Sequence, residues 1–202
     1  MPRTGYLTPS SFYDLMSNGR GTNEMGQSAI KVADRLVLDM LGYSESLEDE
    51  FVSKSCLWGI ENEWTALRVY EERTLREVRN AQFMASYTHP YIGGTMDGLV
   101  GEHGGVEAKC PYNPVEHLNN LMDGRQIKRY IYQIQGYMFI YELDWIDFIS
   151  YDPRMPREYQ LAVHRVTRDK EIIDAIVKRC EKAYQMACKK VEMIKERLGK
   201  IA

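Results

Sequence analysis

No apolar run in the chain approaches the roughly 20 residues that a membrane span needs. The first residues, MPRTGYLTPSS, lack the apolar core of a secretory signal, so the expectation is a cytoplasmic protein with no membrane partner. The four cysteines, Cys56, Cys110, Cys180 and Cys188, form no CxxC pair and have no histidine-rich spacing around them. That argues against zinc and against an iron–sulfur cluster, and all four are read as reduced thiols. Cys180 and Cys188, eight apart, are expected on one helix face in the core. An excess of positive charge is missing too: 26 Lys and Arg stand against 29 Asp and Glu, a net charge of −3. A generic nucleic-acid binder is usually basic, although an enzyme can gather its cations in one groove.

What is present is ordinary globular composition, 44% hydrophobic and 27% charged over 202 residues, enough for one domain spanning 1–202. No flexible linker or internal repeat divides it. Near the start, LTPSSFYDLM reads as a helix with Thr8 as N-cap and Pro9 in the first turn. A second helix runs through SAIKVADRLVLDMLGY, with Ile30, Ala33, Leu36, Val37, Met40 and Leu41 on one face and Gly42 as its stop. The acidic SESLEDE is a solvated loop, and SKSCLWGIENEWTALRVYEERT is a third helix. Short strand-like runs follow from Arg76 to Val100, then turns with at most a short helix through Gln126. Next come the helical spacing of Ile127, Tyr130, Ile131, Ile134, Tyr137, Met138 and Tyr141, and two strands, WIDFISY and YQLAVHRV. A long amphipathic helix from Lys170 closes the chain, one side of it basic. Helices followed by a mixed sheet with helices packed on it give an α/β fold.

The decisive stretch is GGTMDGLVGEHGGVEAKCP, residues 93–111. Strand propensity disfavours Asp97, Glu107 and Lys109, yet all three fall in what reads as a tight hairpin. With the turn centred near Glu102, paired residue numbers sum to about 204, which sets Asp97 opposite Glu107. Glu107 and Lys109, two apart on one strand, project from the same face. Two close carboxylates repel unless a cation lies between them, and oxygen-only ligation suits Mg²⁺ or Mn²⁺, with the Ala108 carbonyl as a further ligand. Lys109 beside such an ion can orient water or stabilise charge developing on a phosphate. A strand bearing charges is equally what a solvated sheet face looks like, and spacing alone leaves both readings open.

The motif resembles the D…ExK core of the PD-(D/E)xK nucleases, most closely the phage lambda exonuclease, or YqaJ-like, group. That group has a Ser-Pro-Asp-Gly-Leu strand followed by a Leu-Glu-Leu-Lys-Cys-Pro strand. Other stretches match in order: RTGYLTPS with Arg3 and Ser10, LWGIENEWTALRVYE with Glu63, RYIYQIQGYMFI with Tyr130 and Gln133, and SYDPRMPRE. The matches run from residue 3 to about 157. Met96 stands where the family has the proline of its PD pair; the proline is not a ligand, so only strand geometry is put in question.

The resemblance implies a restriction-endonuclease-like fold, a mixed central sheet flanked by helices. It implies a Mg²⁺-dependent 5′→3′ exonuclease on double-stranded DNA ends, with Mn²⁺ as a possible substitute. A ring-shaped homotrimer and a phage single-strand annealing protein as partner for the 3′ overhangs go with it. Asp97, Glu107 and the Ala108 carbonyl would hold metal, Glu63 would assist at a second metal position, and Gln133 would orient Lys109 or the water. Arg3 and Ser10, with Thr95 and Tyr130, would contact the 5′-phosphate or DNA, the first turn adding free N–H groups. Without the resemblance, Thr8–Ser11 would be no more than a cap. His89, His103, His117 and His164 show no ligand spacing and receive no catalytic role. Two other readings stay open: an endonuclease of restriction or repair type, and an inactive end-binding accessory protein.

Overall fold

A computed structural model describes residues 5–21, 24–43 and 53–199. Its elements, in chain order, are α1 (Phe12–Leu15), α2 (Gln27–Met40), α3 (Lys54–Thr74), β1 (Val78–Arg79), β2 (Met84–Ala85), β3 (Gly93–Gly94), β4 (Gly98–Val100) and β5 (Gly104–Lys109). These are followed by α4 (Pro114–Asp123), α5 (Ile127–Tyr141), β6 (Trp145–Tyr151), β7 (Leu161–Thr167) and α6 (Lys170–Gly199). The acidic run expected as a solvated loop lies outside the described residues, as does Arg3.

Five strands form one sheet in the order β1-β4-β5-β6-β7. Only β5 and β6 pair in parallel, and α4 and α5 make the crossover that a parallel pair requires. The sheet is therefore mixed, as expected. Its two faces are covered unequally. On one, α3 packs Ala66 and Tyr70 over Val106, Ala108, Ile149 and Leu161. On the other, α5 packs Ile134, Tyr137 and Met138 over Met96, Ile146 and Phe148. A further layer joins α1, α2 and α6, with Phe12, Leu36, Ile176 and Cys180 at its centre.

The N-terminal segment is drawn into this frame. Leu7 bridges to Ile92 beside β3, and Pro9–Ser11 form a 3₁₀ turn running into α1. Close approach is possible because Gly94 and Gly136 have no side chain: a Cβ at Gly94 would press on Pro9, and one at Gly136 on the Phe12 ring. The expected helix start is thus a 3₁₀ turn followed by four α-helical residues. Thr8 is its N-cap by backbone angle, but its hydroxyl bonds the Ser10 hydroxyl instead of a backbone N–H.

In α2, Ala33, Leu36 and Val37 are buried as expected, while Leu41 lies past the helix end, exposed. In α6, Ile173, Ile176, Cys180, Ala183, Ala187 and Val191 form the buried stripe. The four thiols are free; Cys180 is buried and Cys188 half-buried.

Candidate active site

The hairpin pairs with the expected register: Gly98 faces Val106, Leu99 faces Gly105 and Val100 faces Gly104. Asp97 enters the hairpin one residue before Gly98 and accepts a 2.8 Å hydrogen bond from the Ala108 N–H. Glu107 sits in the middle strand of the sheet with 1% exposure. Lys109 Nζ and Gln133 Nε2 both donate to Glu107 Oε1, at 2.7 and 2.6 Å. Gln133 comes from α5, so the crossover helix delivers its amide to the strand it covers. The Lys109 ammonium also lies 5.1 Å from the centre of the Tyr130 ring, which in turn stacks on Phe148. Tyr130 thereby forms a floor beneath the lysine.

Burial, then the charge of Asp97, pushes the Glu107 carboxyl up to about 8 against the opposing pull of Lys109. Burial alone would lower Lys109, but the carboxylates of Glu107 and Asp97 outweigh it and hold the ammonium charged. Glu63 on α3 belongs to the same field: burial and Asp97 raise its carboxyl. Three carboxylates thus share one lysine.

The second oxygen of Glu107 is buried and has no hydrogen-bond partner among the described residues. A buried acceptor without a donor is costly, and a cation bound there would satisfy it. Among the described residues no group of three His, Cys, Asp or Glu side chains is gathered for metal binding. The set here is two carboxylates and a carbonyl, and oxygen-only donors suit a hard divalent cation. The residues fit the ion that the sequence implies.

A groove of about 350 Å³ opens over Lys109, lined among others by Glu63, Ala108, Tyr112, Gln126 and Tyr130. The structure therefore brings Asp97, Glu107, Ala108, Lys109, Gln133, Glu63 and Tyr130 together. Thr95 is half-buried, two residues before Asp97. Ser10 is exposed, on a turn that packs against α5, with its hydroxyl bonded to Thr8.

Residues 3–144 match the family model described as the YqaJ-like viral recombinase domain. The chain belongs to this family. Among solved structures, it is similar to an alkaline exonuclease (LHK-Exo) from Laribacter hongkongensis, at 27% identity and a TM-score of 0.88, over 99% of this chain and 96% of that one. The same exonuclease in complex with dAMP matches at 28% identity with the same TM-score and coverage. A phage-related exonuclease from Haemophilus somnus 129PT shares the fold at 18% identity, TM-score 0.75, over 96% and 97% of the two chains. No curated protein matches. The fold is accordingly the restriction-endonuclease-like one of these exonuclease structures, as a member of the YqaJ-like family is expected to have.

Several structured residues near the site receive no individual role from the sequence. Asp152 is fully buried and holds the Arg154 guanidinium through both oxygens, at 2.8 and 2.7 Å. His117, given no catalytic role, is buried; its Nε2 donates to the Tyr159 carbonyl and its Nδ1 meets the Ser150 hydroxyl, both at 2.8 Å. It pins α4 to the end of β6, beside the strand carrying Lys109. On the α3 face, buried Asp147 accepts from Tyr70, Arg76 and Arg165.

Proposed function

We propose that this protein is a Mg²⁺-dependent nuclease that degrades duplex DNA from its ends in the 5′→3′ direction, leaving 3′ single-stranded overhangs. The observation that carries this reading is the Asp97–Glu107–Lys109–Gln133 constellation, with a buried Glu107 oxygen left without a donor among the described residues. Membership of a viral recombinase family and likeness to an alkaline exonuclease support the same chemistry.

Asp97, Glu107 and the Ala108 carbonyl would hold the ion, with Glu63 at a second position; Mn²⁺ would substitute. When bound, a divalent ion neutralises the phosphate and lowers the pKa of water near it. Lys109 places a positive N–H donor over the groove, where it orients the attacking water and stabilises charge developing on the phosphate. Gln133 holds Glu107 and so fixes the direction of Lys109. Tyr130 supports the lysine from below. The Ser10 turn and Thr95, with Arg3, would receive the 5′-phosphate. Three copies closing into a ring around DNA would supply processivity through topology, which accommodates the net charge of −3. The overhangs would be handed to a single-strand annealing protein.

The test uses linear duplexes with and without a 5′-phosphate, beside closed circular DNA, in Mg²⁺ or EDTA. Shortening of linear DNA in Mg²⁺ alone, faster with a 5′-phosphate and with circles intact, is the expected result. Nicking of circles at the rate of linear digestion would make it an endonuclease. Binding of ends without cleavage would make it an accessory protein.

A further inference from the structure

The N-terminal half of α3 overhangs the groove, whereas the C-terminal half is anchored in the core through Ala66 and Tyr70. Residues 53–57 are exposed, and the first ring that packs inward is Trp58. Its partner is Arg154, whose guanidinium carbon lies 4.5 Å from the centre of the Trp58 ring. The same guanidinium donates to the Tyr112 carbonyl at 3.0 Å and is forked onto buried Asp152. Trp58 and Tyr112 also meet edge-on at 6.1 Å. One side chain thus ties two walls of the groove, the helix bearing Glu63 and the turn that follows Lys109, to the residues just past the end of β6. The loop that presents Arg154 is itself closed by Gln160, which donates to the Pro153 and Met155 carbonyls.

We propose that Arg154 is a positioning residue of the nuclease centre, holding the N-terminal half of α3, and with it Glu63, over the metal-holding end of β5. A guanidinium suits the task because its planar fork fits Asp152 while its face stacks on Trp58; a lysine ammonium can do neither in that geometry. Arg154 itself touches no reacting atom; its effect reaches the metal through the elements it holds, chiefly α3 with Glu63. The inference rests on the metal-dependent reading of the site.

The experiment titrates the DNA-free protein with Mg²⁺ by calorimetry and, in parallel, measures the Mg²⁺ dependence of hydrolysis. Wild type is compared with Arg154→Lys, Trp58→Leu, Glu63→Gln and the Arg154→Lys/Glu63→Gln double variant. Arg154→Lys is expected to weaken Mg²⁺ binding roughly tenfold, as loss of a supporting residue behind a metal ligand does, with the KM for DNA little changed. In the Glu63→Gln background the Arg154 substitution should lose most of its effect, because the two act largely along one path. Trp58→Leu leaves the Asp152 fork intact and should shift the Mg²⁺ curve in the same direction, which serves if Arg154→Lys fails to fold. Wild-type Mg²⁺ binding in both Arg154→Lys and Trp58→Leu would overturn the inference, as would multiplied losses in the double variant. A wild type that takes up no Mg²⁺ would overturn the metal-dependent reading as well.

Discussion

Glu107 combines deep burial with a carboxylate oxygen that no hydrogen-bond donor among the described residues reaches. Because its folded pKa is raised from 4.5 to about 8, the metal-free folded state holds a proton there that the unfolded chain releases. Stability therefore falls as pH rises through that window, and a bound cation restores it. Glu107→Gln, which resembles the protonated carboxyl, should melt no lower than wild type in EDTA at neutral pH. Mg²⁺ should raise the melting temperature of wild type and leave the variant unmoved; equal stabilisation of both would remove Glu107 from the metal. Asp152 works in the opposite sense. Its hydrogen bonds to Arg154 lower its carboxyl below the ordinary value of 3.8, so the stability it gives is complete above that value and lost as pH falls through the lower folded one. The melting-temperature gap between wild type and Asp152→Asn should stay level from pH 7 to about 5 and close below about 4, the unfolded aspartate range.

At the scale of elements, β5 and β6 form the spine, and Asp147 on β6 ties α3 and β7 to it. Removing it leaves the buried Tyr70 hydroxyl without its acceptor and two guanidinium groups facing each other. Asp147→Ala should cost about 3 kcal/mol in denaturant unfolding, the lower end for a broken buried pair because both arginines are half-exposed. A cost below about 0.5 kcal/mol, ordinary for a surface change, would contradict that role. The hairpin was legible because its two strands meet across a short polar turn, so register followed from counting to Glu102. The helix α4 was less so, for a physical reason: its buried residues are His117 and Asn120, while its apolar Val115, Leu118 and Met122 are exposed. The apolar spacing of Val115, Leu118 and Met122 therefore marks the outward face of this helix and not the buried one. The tie between Trp58 and Arg154 joins residues far apart in the chain through a loop, and neither has a local pattern that announces the other.

For the molecule as a whole, exposed apolar residues lie along two helices beside the groove: Leu57, Ile60 and Trp64 on α3, and Val115, Leu118 and Met122 on α4. A ring of three copies around DNA predicts a solution mass three times the 23.5 kDa of one chain, read by light scattering at micromolar concentration. A monomer there would contradict the proposed ring. The decisive test of the proposed activity is release of nucleotides from a linear duplex by wild type and by Lys109→Ala, each with Mg²⁺ and with EDTA. Lys109 lines the groove, and in the proposed mechanism its truncation removes a donor to the transition state, so a loss of at least about 100-fold is expected with the fold intact by circular dichroism. EDTA should silence wild type. Turnover by Lys109→Ala at the wild-type rate, or undiminished cleavage in EDTA, would contradict the proposal.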